Sequence, residues 1–256
     1  MDSIIYLKKI SAILPKPIKY VLLVVWRRWC AGIKWNEQMV SDIANYFKIS
    51  KKDVKFLLSS SGRTGAFFWN YLKISGKEET FYNITPFYIF ELAFWHMTRY
   101  QRIFRSKVIE LSRGRVLDFG GGMGDLSLEL AKRGLSVTYA DVSGETFKFA
   151  KYLFSKYDLP VVMIDSSKES VGNNYDTIIC IDVIEHLENQ KETLDMLSDS
   201  LNSGGMLIIT NLEVHHIDQE QYDNHPMHIP IQFDAKKYIL DKGFKETKYP
   251  WTFVKK

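Results

Sequence analysis

The sequence predicts an α/β fold, a doubly wound and mostly parallel sheet preceded by a region of helices, and three observations predict it. From Arg115 onward, short β-branched runs alternate with amphipathic stretches, the βαβ order that builds a parallel sheet through right-handed crossovers. Four of these runs end in a carboxylate, at Asp118, Asp141, Asp165 and Asp182. Between the first run and its helix lies D-x-G-x-G-x-G, Asp118 to Gly124. Open parallel sheets bind ligands beyond the carboxyl ends of their strands, so these positions are expected to converge on one crevice.

Each element has its own signal. RVLDF is the first strand, and the glycines at 120, 122 and 124 allow a sharp turn and a close backbone approach to a flat ligand. The helix beginning near Asp125 offers its unpaired N–H groups to an anion, which together reads as a nucleotide-like ligand site. A glycine triplet alone is weak, because many tight turns are glycine-rich. The next strand, LSVTYAD, ends at Asp141, about 20 residues on, where an acid takes ribose hydroxyls in dinucleotide folds. PVVMID and YDTIICID give strands three and four, Glu185-His186 is expected to begin a helix, and MLIITN gives strand five. KGFKETKYPWTFVKK closes the chain as a hairpin through Tyr249-Pro250. The competing role for every strand-end acid is to cap the following helix.

Residues 114–256 resemble a class I S-adenosylmethionine (SAM) dependent methyltransferase of the small-molecule type. VLDFGGGMG resembles that family's first motif, Asp141 its ribose-binding acid, Asp165-Ser166 its adenine-contacting pair, DVIEHL its strand-four segment, and LNSGGMLIITN the motif around strand five. The resemblance implies a seven-stranded Rossmann-like sheet ending in antiparallel strands, SAM as cofactor and S-adenosylhomocysteine as product. It implies cofactor contacts from Asp118, Gly120, Gly122, Gly124, Asp141, Val142, Asp165, Ser166 and Asp182. In the family the helix ahead of the first motif covers the methionine end of the cofactor, which makes Tyr88 and Arg99 candidates there.

With 256 residues and 46% hydrophobic content, the chain suffices for one catalytic domain, 114–256, plus a helical lid or substrate-binding region, 1–113. Cys30 and Cys180 are too few for a disulfide framework, and a reduced, cytoplasmic setting is expected. No signal peptide is evident, and the apolar run Val21–Trp26 is far shorter than the ~20 residues that span a bilayer. The net charge of +4 hides an asymmetry: up to Gly114 there are 19 Lys and Arg against 8 Asp and Glu, and beyond it 15 against 22. A basic half suits an anionic substrate, nucleic acid or a membrane surface, or simply docks on the acidic half.

Within the first region, PKPIKYVLLVVWRRW mixes an apolar face with Lys19, Arg27 and Arg28. Two roles stay open for it: peripheral contact with a membrane interface, or packing against the catalytic domain or the second subunit of a homodimer. Residues 41–60 resemble a helix-turn-helix with a Ser50 cap, but Lys51, Lys52 and Lys55 are its only basic contacts, so nucleic-acid binding is disfavoured. From Phe67 to Phe104 aromatic residues are dense, and Tyr82, Tyr88, Trp95, His96 and Tyr100 present more polar tips than a core needs.

Four histidines, His215, His216, His225 and His228, fall within fourteen positions. Their H-H-x8-H-x2-H spacing matches no standard zinc pattern, and no metal is expected from it. HPMHIPIQFDAKKYILDKGF instead resembles the family's segment before the last helix, where a histidine and an aromatic residue line the pocket. His186, His225 and His228 are therefore the candidates for general base or substrate contact. No N/D-P-P-Y/F follows strand four and no second cysteine accompanies Cys180, which disfavours adenine or glutamine N-methylation and cysteine-mediated carbon methylation. The expected reaction is in-line transfer of a methyl group to an O, N, S or C nucleophile of a small molecule. Two alternatives are other SAM chemistry, aminocarboxypropyl transfer or cyclisation releasing methylthioadenosine, and a nucleic-acid protein using the basic helices.

Overall fold

The computed structural model describes residues 32–60, 64–77, 80–213 and 226–256. The amphipathic stretch before residue 32, on which the membrane and homodimer expectations rest, and His215, His216 and His225 lie outside the described residues. Among the described residues, no helix is long and apolar enough to cross a membrane.

The first described helices start where side chains meet their orphan N–H groups. Asn36 opens α1 (Glu37–Phe47) by accepting from Gln38 N and Met39 N, each at 3.1 Å. Ser50 caps α2 (Lys51–Ser60) as expected: its Oγ accepts from Asp53 N at 3.1 Å and donates to Asp53 Oδ2 at 2.6 Å. Then come α3 (Thr64–Ile74), α4 (Phe81–Ile84), α5 (Phe87–His96) and α6 (Arg99–Leu111), the last capped by Thr98.

The sheet follows in the expected alternation: β1 (Arg115–Phe119), α7 (Asp125–Lys132), β2 (Ser136–Asp141), α8 (Glu145–Lys156), β3 (Val162–Asp165), β4 (Tyr175–Cys180), α9 (Gln190–Ser200), β5 (Leu201–Ile209), α10 (Ala235–Asp241), β6 (Phe244–Glu246) and β7 (Thr252–Lys255). Seven strands lie in the order β3-β2-β1-β4-β5-β7-β6; the first five pair in parallel, and β7 joins β5 and β6 antiparallel. The order reverses between β1 and β4, the switch point where such sheets open a crevice.

Three local differences from the expected layout have backbone causes. β4 stops at Cys180, short of Asp182, because Asp182 adopts a left-handed φ of 55° that no strand continues through. β5 begins early, drawing LNSGG into the sheet across a register shift between Tyr175 and Thr177. Glu185 and His186 form a single 3₁₀ turn (Ile184–His186) instead of opening a longer helix, since Leu187 returns to extended backbone.

Both faces of the sheet are buried, as a doubly wound sheet requires: in β1, Leu117 enters one core and Val116 the opposite one. The N-terminal helices are built into a further core beside these. Val40, Ile43, Val54 and Leu58 pack with Ile89, Phe90 and Ala93 of α5 and with Tyr139, Phe149 and Leu153 of β2 and α8. Across this contact Asp42 accepts from Lys156 Nζ at 2.6 Å and from the Tyr157 hydroxyl at 2.9 Å. Here the basic half supplies the acid and the acidic half the cation, the reverse of the sequence-wide asymmetry. Between α6 and the first residue of α7, Arg105 and Asp125 pair at 2.8 Å in the expected sense.

Because α1 is part of a core that includes β2, Ile43→Ala should cost the whole protein about 2–5 kcal/mol, the range for truncating a buried aliphatic. Urea denaturation followed by circular dichroism measures this; a loss below ~0.5 kcal/mol would show that α1 contributes no shared core.

Candidate active site

The turn after β1 is built by glycines whose neighbours leave no room for side chains. Gly120 has φ +70°, and a Cβ there would stand 2.3 Å from Val183 Cγ2. Gly124 has φ +76°, and its Cβ would stand 2.6 Å from that of Ala150, so this glycine lets α7 approach α8. Gly120 N and Gly121 N both donate to the Ala140 carbonyl, at 2.8 and 3.3 Å, which binds the turn to the end of β2.

Asp141 completes that junction. Its Oδ2 accepts from Gly122 N at 2.6 Å and its Oδ1 from Val142 N at 2.7 Å, while the Tyr139 hydroxyl donates to the Gly122 carbonyl at 2.7 Å. Ser166 N donates to the Asp141 carbonyl at 2.9 Å, so the loop after β3 joins the same edge. Burial pushes the Asp141 carboxyl up to about 7, although both amide bonds favour its charged form. Asp118 lies in β1 before the turn, 3% exposed, and accepts from Ser127 Oγ at 2.6 Å; burial pushes it up to about 6.

The other predicted acids are held differently. Asp165 pairs with Asp141 in the β2–β3 register but turns into its own loop, accepting from Lys168 Nζ and Ser167 Oγ at 2.6 Å, which hold it well below the usual carboxylate range. Asp182 accepts from Thr210 Oγ1 and Asn211 Nδ2 at 3.0 Å and from Gln101 Nε2 at 3.4 Å. That last bond brings the first turn of α6 to the crevice; Arg99 lies in the same turn.

Aromatic side chains from α4 and α5 face this edge. Burial raises the Tyr82 and Tyr88 hydroxyls far above their ordinary value; beyond burial, Tyr82 responds to the charges of Glu185 and Asp141, and Tyr88 to Tyr82, Glu91, Asp141 and Asp182. The Tyr88 ring meets those of Phe81 and Tyr82, at 5.8 and 5.4 Å. Burial likewise pushes Glu91, one turn along α5, up to about 7.

A second polar group is drawn from α4, the segment after β4 and the segment before α10. Tyr82 and His186 share a hydrogen bond, hydroxyl to Nδ1, at 3.1 Å, and the His186 and His228 rings meet edge to face at 4.7 Å. Glu185 is 1% exposed, its Oε1 accepts from Asn211 Nδ2, and burial pushes it up to about 8. The Ile229 amide donates to the Glu185 carbonyl at 2.6 Å, which fixes His228 beside His186.

Three participants have no motif of their own: Tyr139, Ser127 and Gln101; Thr210 and Asn211 close the LNSGGMLIITN motif without having been singled out. Tyr139 is the most detectable, a large polar-tipped residue in a buried strand, two positions before Asp141. The contact of Gln101 with Asp182 spans α6 and the end of β4 and has no local signal.

The raised carboxyls set a pH dependence. A carboxyl whose folded value lies above its unfolded one stabilises the fold below the unfolded value, and that stability is lost as pH rises through the folded value. With Asp118 at about 6 and Asp141 at about 7, both raised from 3.8, the melting temperature in buffer alone should fall between about pH 4 and 7, with each group contributing up to ~1.4 kcal/mol per pH unit. Asp141→Asn should flatten the upper part of that fall in thermal melts; an unchanged profile would contradict the buried carboxyl.

Comparison with known proteins gives this geometry a lineage. A family model described as a methyltransferase domain matches residues 94–243. The ubiquinone biosynthesis O-methyltransferase of Rickettsia typhi is 30% identical over 105 residues, 40% of this chain and 43% of that protein. Its counterpart in Xylella fastidiosa is 32% identical over 111 residues, 42% of this chain and 45% of that protein. The chain spans less than half the length of these curated relatives. Among solved structures, phosphoethanolamine N-methyltransferase 2 of Haemonchus contortus superposes with a TM-score of 0.49 at 19% identity, over 58% of this chain and 37% of that one. The family model covers the sheet edge, the glycine turn and the four acids together, and the chain belongs to the methyltransferase-domain family.

Proposed function

We propose that this protein transfers a methyl group from SAM to a hydroxyl of a small aromatic molecule, with residues 114–256 binding the donor and the helices before them covering the acceptor. The observation that carries the reading is the Asp141 junction: a buried carboxylate bonded to the glycine turn at the switch point of a parallel sheet. The residues fit an adenosyl donor by their chemistry. Asp141 is a two-oxygen acceptor for vicinal ribose hydroxyls, and the glycine turn offers the close backbone approach that a flat ligand needs. Val142 and Ser166 flank that acceptor, and Tyr88 and Arg99 stand as candidates for the amino-acid end.

When bound, SAM supplies an activated methyl carbon, and the protein's work is positioning. The glycine turn and Asp141 hold the nucleoside, and the aromatic rings of α4 and α5 exclude water. Alignment of this kind is worth on the order of 7–11 kcal/mol. Asp182, held by Thr210, Asn211 and Gln101, faces the junction between donor and acceptor. The acceptor side is the polar group of Tyr82, Glu185, His186 and His228, where the hydroxyl proton is removed as its oxygen bonds to the methyl carbon and the carbon–sulfur bond breaks. Removal of that proton is worth about 10²–10⁴-fold. The relatives' names, O-methyltransferases of ubiquinone biosynthesis, and the ring cluster of Phe81, Trp69, Tyr82 and Tyr88 support a hydroxylated aromatic acceptor.

Incubation with SAM and a panel of phenolic acceptors, with the sulfur product identified by mass spectrometry, should yield S-adenosylhomocysteine and a methyl ether. Methylthioadenosine as the product would overturn the reading. Asp141→Ala should weaken SAM binding by about 1–3 kcal/mol through loss of charge-assisted hydrogen bonds, read by calorimetry on the folded variant.

A further inference from the structure

We propose that Glu185, His186 and His228 form a binding site for a divalent cation of the zinc class. One ligand atom from each lies within 4.8 Å of the others, drawn from two separate segments, the 3₁₀ turn after β4 and the loop after β5. Zinc bonds of about 2.0–2.1 Å place tetrahedral ligands about 3.3 Å apart, so modest side-chain rotation closes the group around an ion.

A second observation points the same way. Glu185 is 1% exposed, and among the described residues its Oε2 is buried with no hydrogen-bond partner, while Oε1 is engaged by Asn211. A buried carboxylate oxygen without a donor is costly, and a cation supplies the missing counterpart. The surroundings also suit histidine ligation. Tyr82 lies 3.1 Å from His186 Nδ1; as acceptor of an Nδ1 proton it fixes the tautomer in which Nε2 carries the lone pair, the usual arrangement behind a metal-bound imidazole. The Ile229 amide, bonded at 2.6 Å to the Glu185 carbonyl, holds the segment bearing His228 against the one bearing His186.

The donor set selects the ion. Two imidazoles and one carboxylate suit zinc; magnesium demands oxygen ligands. Three protein donors also leave one tetrahedral position open, the form in which zinc activates an oxygen ligand rather than bracing a fold. This assignment of an oxygen rests on the methyl-transfer reading: the open position takes the acceptor hydroxyl, whose proton the ion's charge releases to water. The cation site itself does not depend on that reading. The run of histidines from His215 to His228 suggested no such site, because the ligands come from the strand-four segment and only its last member.

Full-length protein, treated with chelator and dialysed, is titrated with zinc chloride by calorimetry without SAM. One equivalent should bind, and Glu185→Gln and His228→Ala should each weaken it at least about tenfold, with thermal melts checking that the variants fold. Cobalt(II) added to the wild-type chain should give the intense visible bands of a four-coordinate site, which decides the matter even where a variant fails to fold. Absence of zinc binding at submillimolar concentration, binding unaffected by His228→Ala, or a weak six-coordinate cobalt spectrum would overturn the proposal. Because no SAM is present, any of these results leaves the methyl-transfer reading to its own product assay.

Discussion

The hydrogen bond from the Gly122 amide to the Asp141 carboxylate is the contact on which the rest of the site depends. It ties the turn after β1 to the end of β2, the two strands on one side of the switch point, and so sets the shape of the crevice edge. Several neighbouring features have meaning only relative to it. Gly120 must lack a side chain because the turn is drawn against Val183. Tyr139 must carry its hydroxyl because the Gly122 carbonyl would otherwise lose its donor. Burying a carboxylate there is costly, and two backbone amides only partly offset it, which leaves the group with a raised value of about 7. A carboxylate in this condition gains further from ligand hydroxyls that donate to it.

The second constraint is the shared core between the N-terminal helices and the sheet. α1 and α2 are amphipathic and too short to persist alone, so their apolar faces have to be covered. Tyr139, Phe149 and Leu153 cover them, and the buried Asp42 carboxylate, bonded to Lys156 and Tyr157, ties α1 to the end of α8. This anchoring leads the chain through α4 and α5, which carry Tyr82, Tyr88 and Glu91 to the mouth of the crevice. Packing in this shared core thus helps to set where these side chains sit.

Much of this was legible in the sequence, for physical reasons. Strands buried on both faces are rich in apolar and β-branched residues, so RVLDF, SVTYAD and TIIC stand out, with an acid within two residues of the carboxyl end of each. Asp141 was legible because the distance from glycine turn to acid is set by one helix and one strand. Asp182 was placed correctly in sequence but not in backbone: its left-handed φ ends β4 before it, and no pattern of residue types announces that. Asp165 shows another case: no helix follows β3 for it to cap, and its carboxylate is held inside a turn by Ser167 and Lys168. The partner least visible was Gln101, whose role arises from α6 meeting the segments after β4 and β5 at one carboxylate.

In the proposed function the polar group at Glu185 serves the acceptor and the cradle at Asp141 the donor; Asn211, which bonds to both Asp182 and Glu185, joins Asp182 to the acceptor group. The central claim concerns the donor side. A crystal structure of the full chain with S-adenosylhomocysteine tests it most directly. The account predicts both ribose hydroxyls within about 3 Å of the Asp141 carboxylate oxygens and the adenosyl group against the turn at Gly120–Gly124. An adenosyl group bound elsewhere on the protein, with no contact to Asp141, would contradict it.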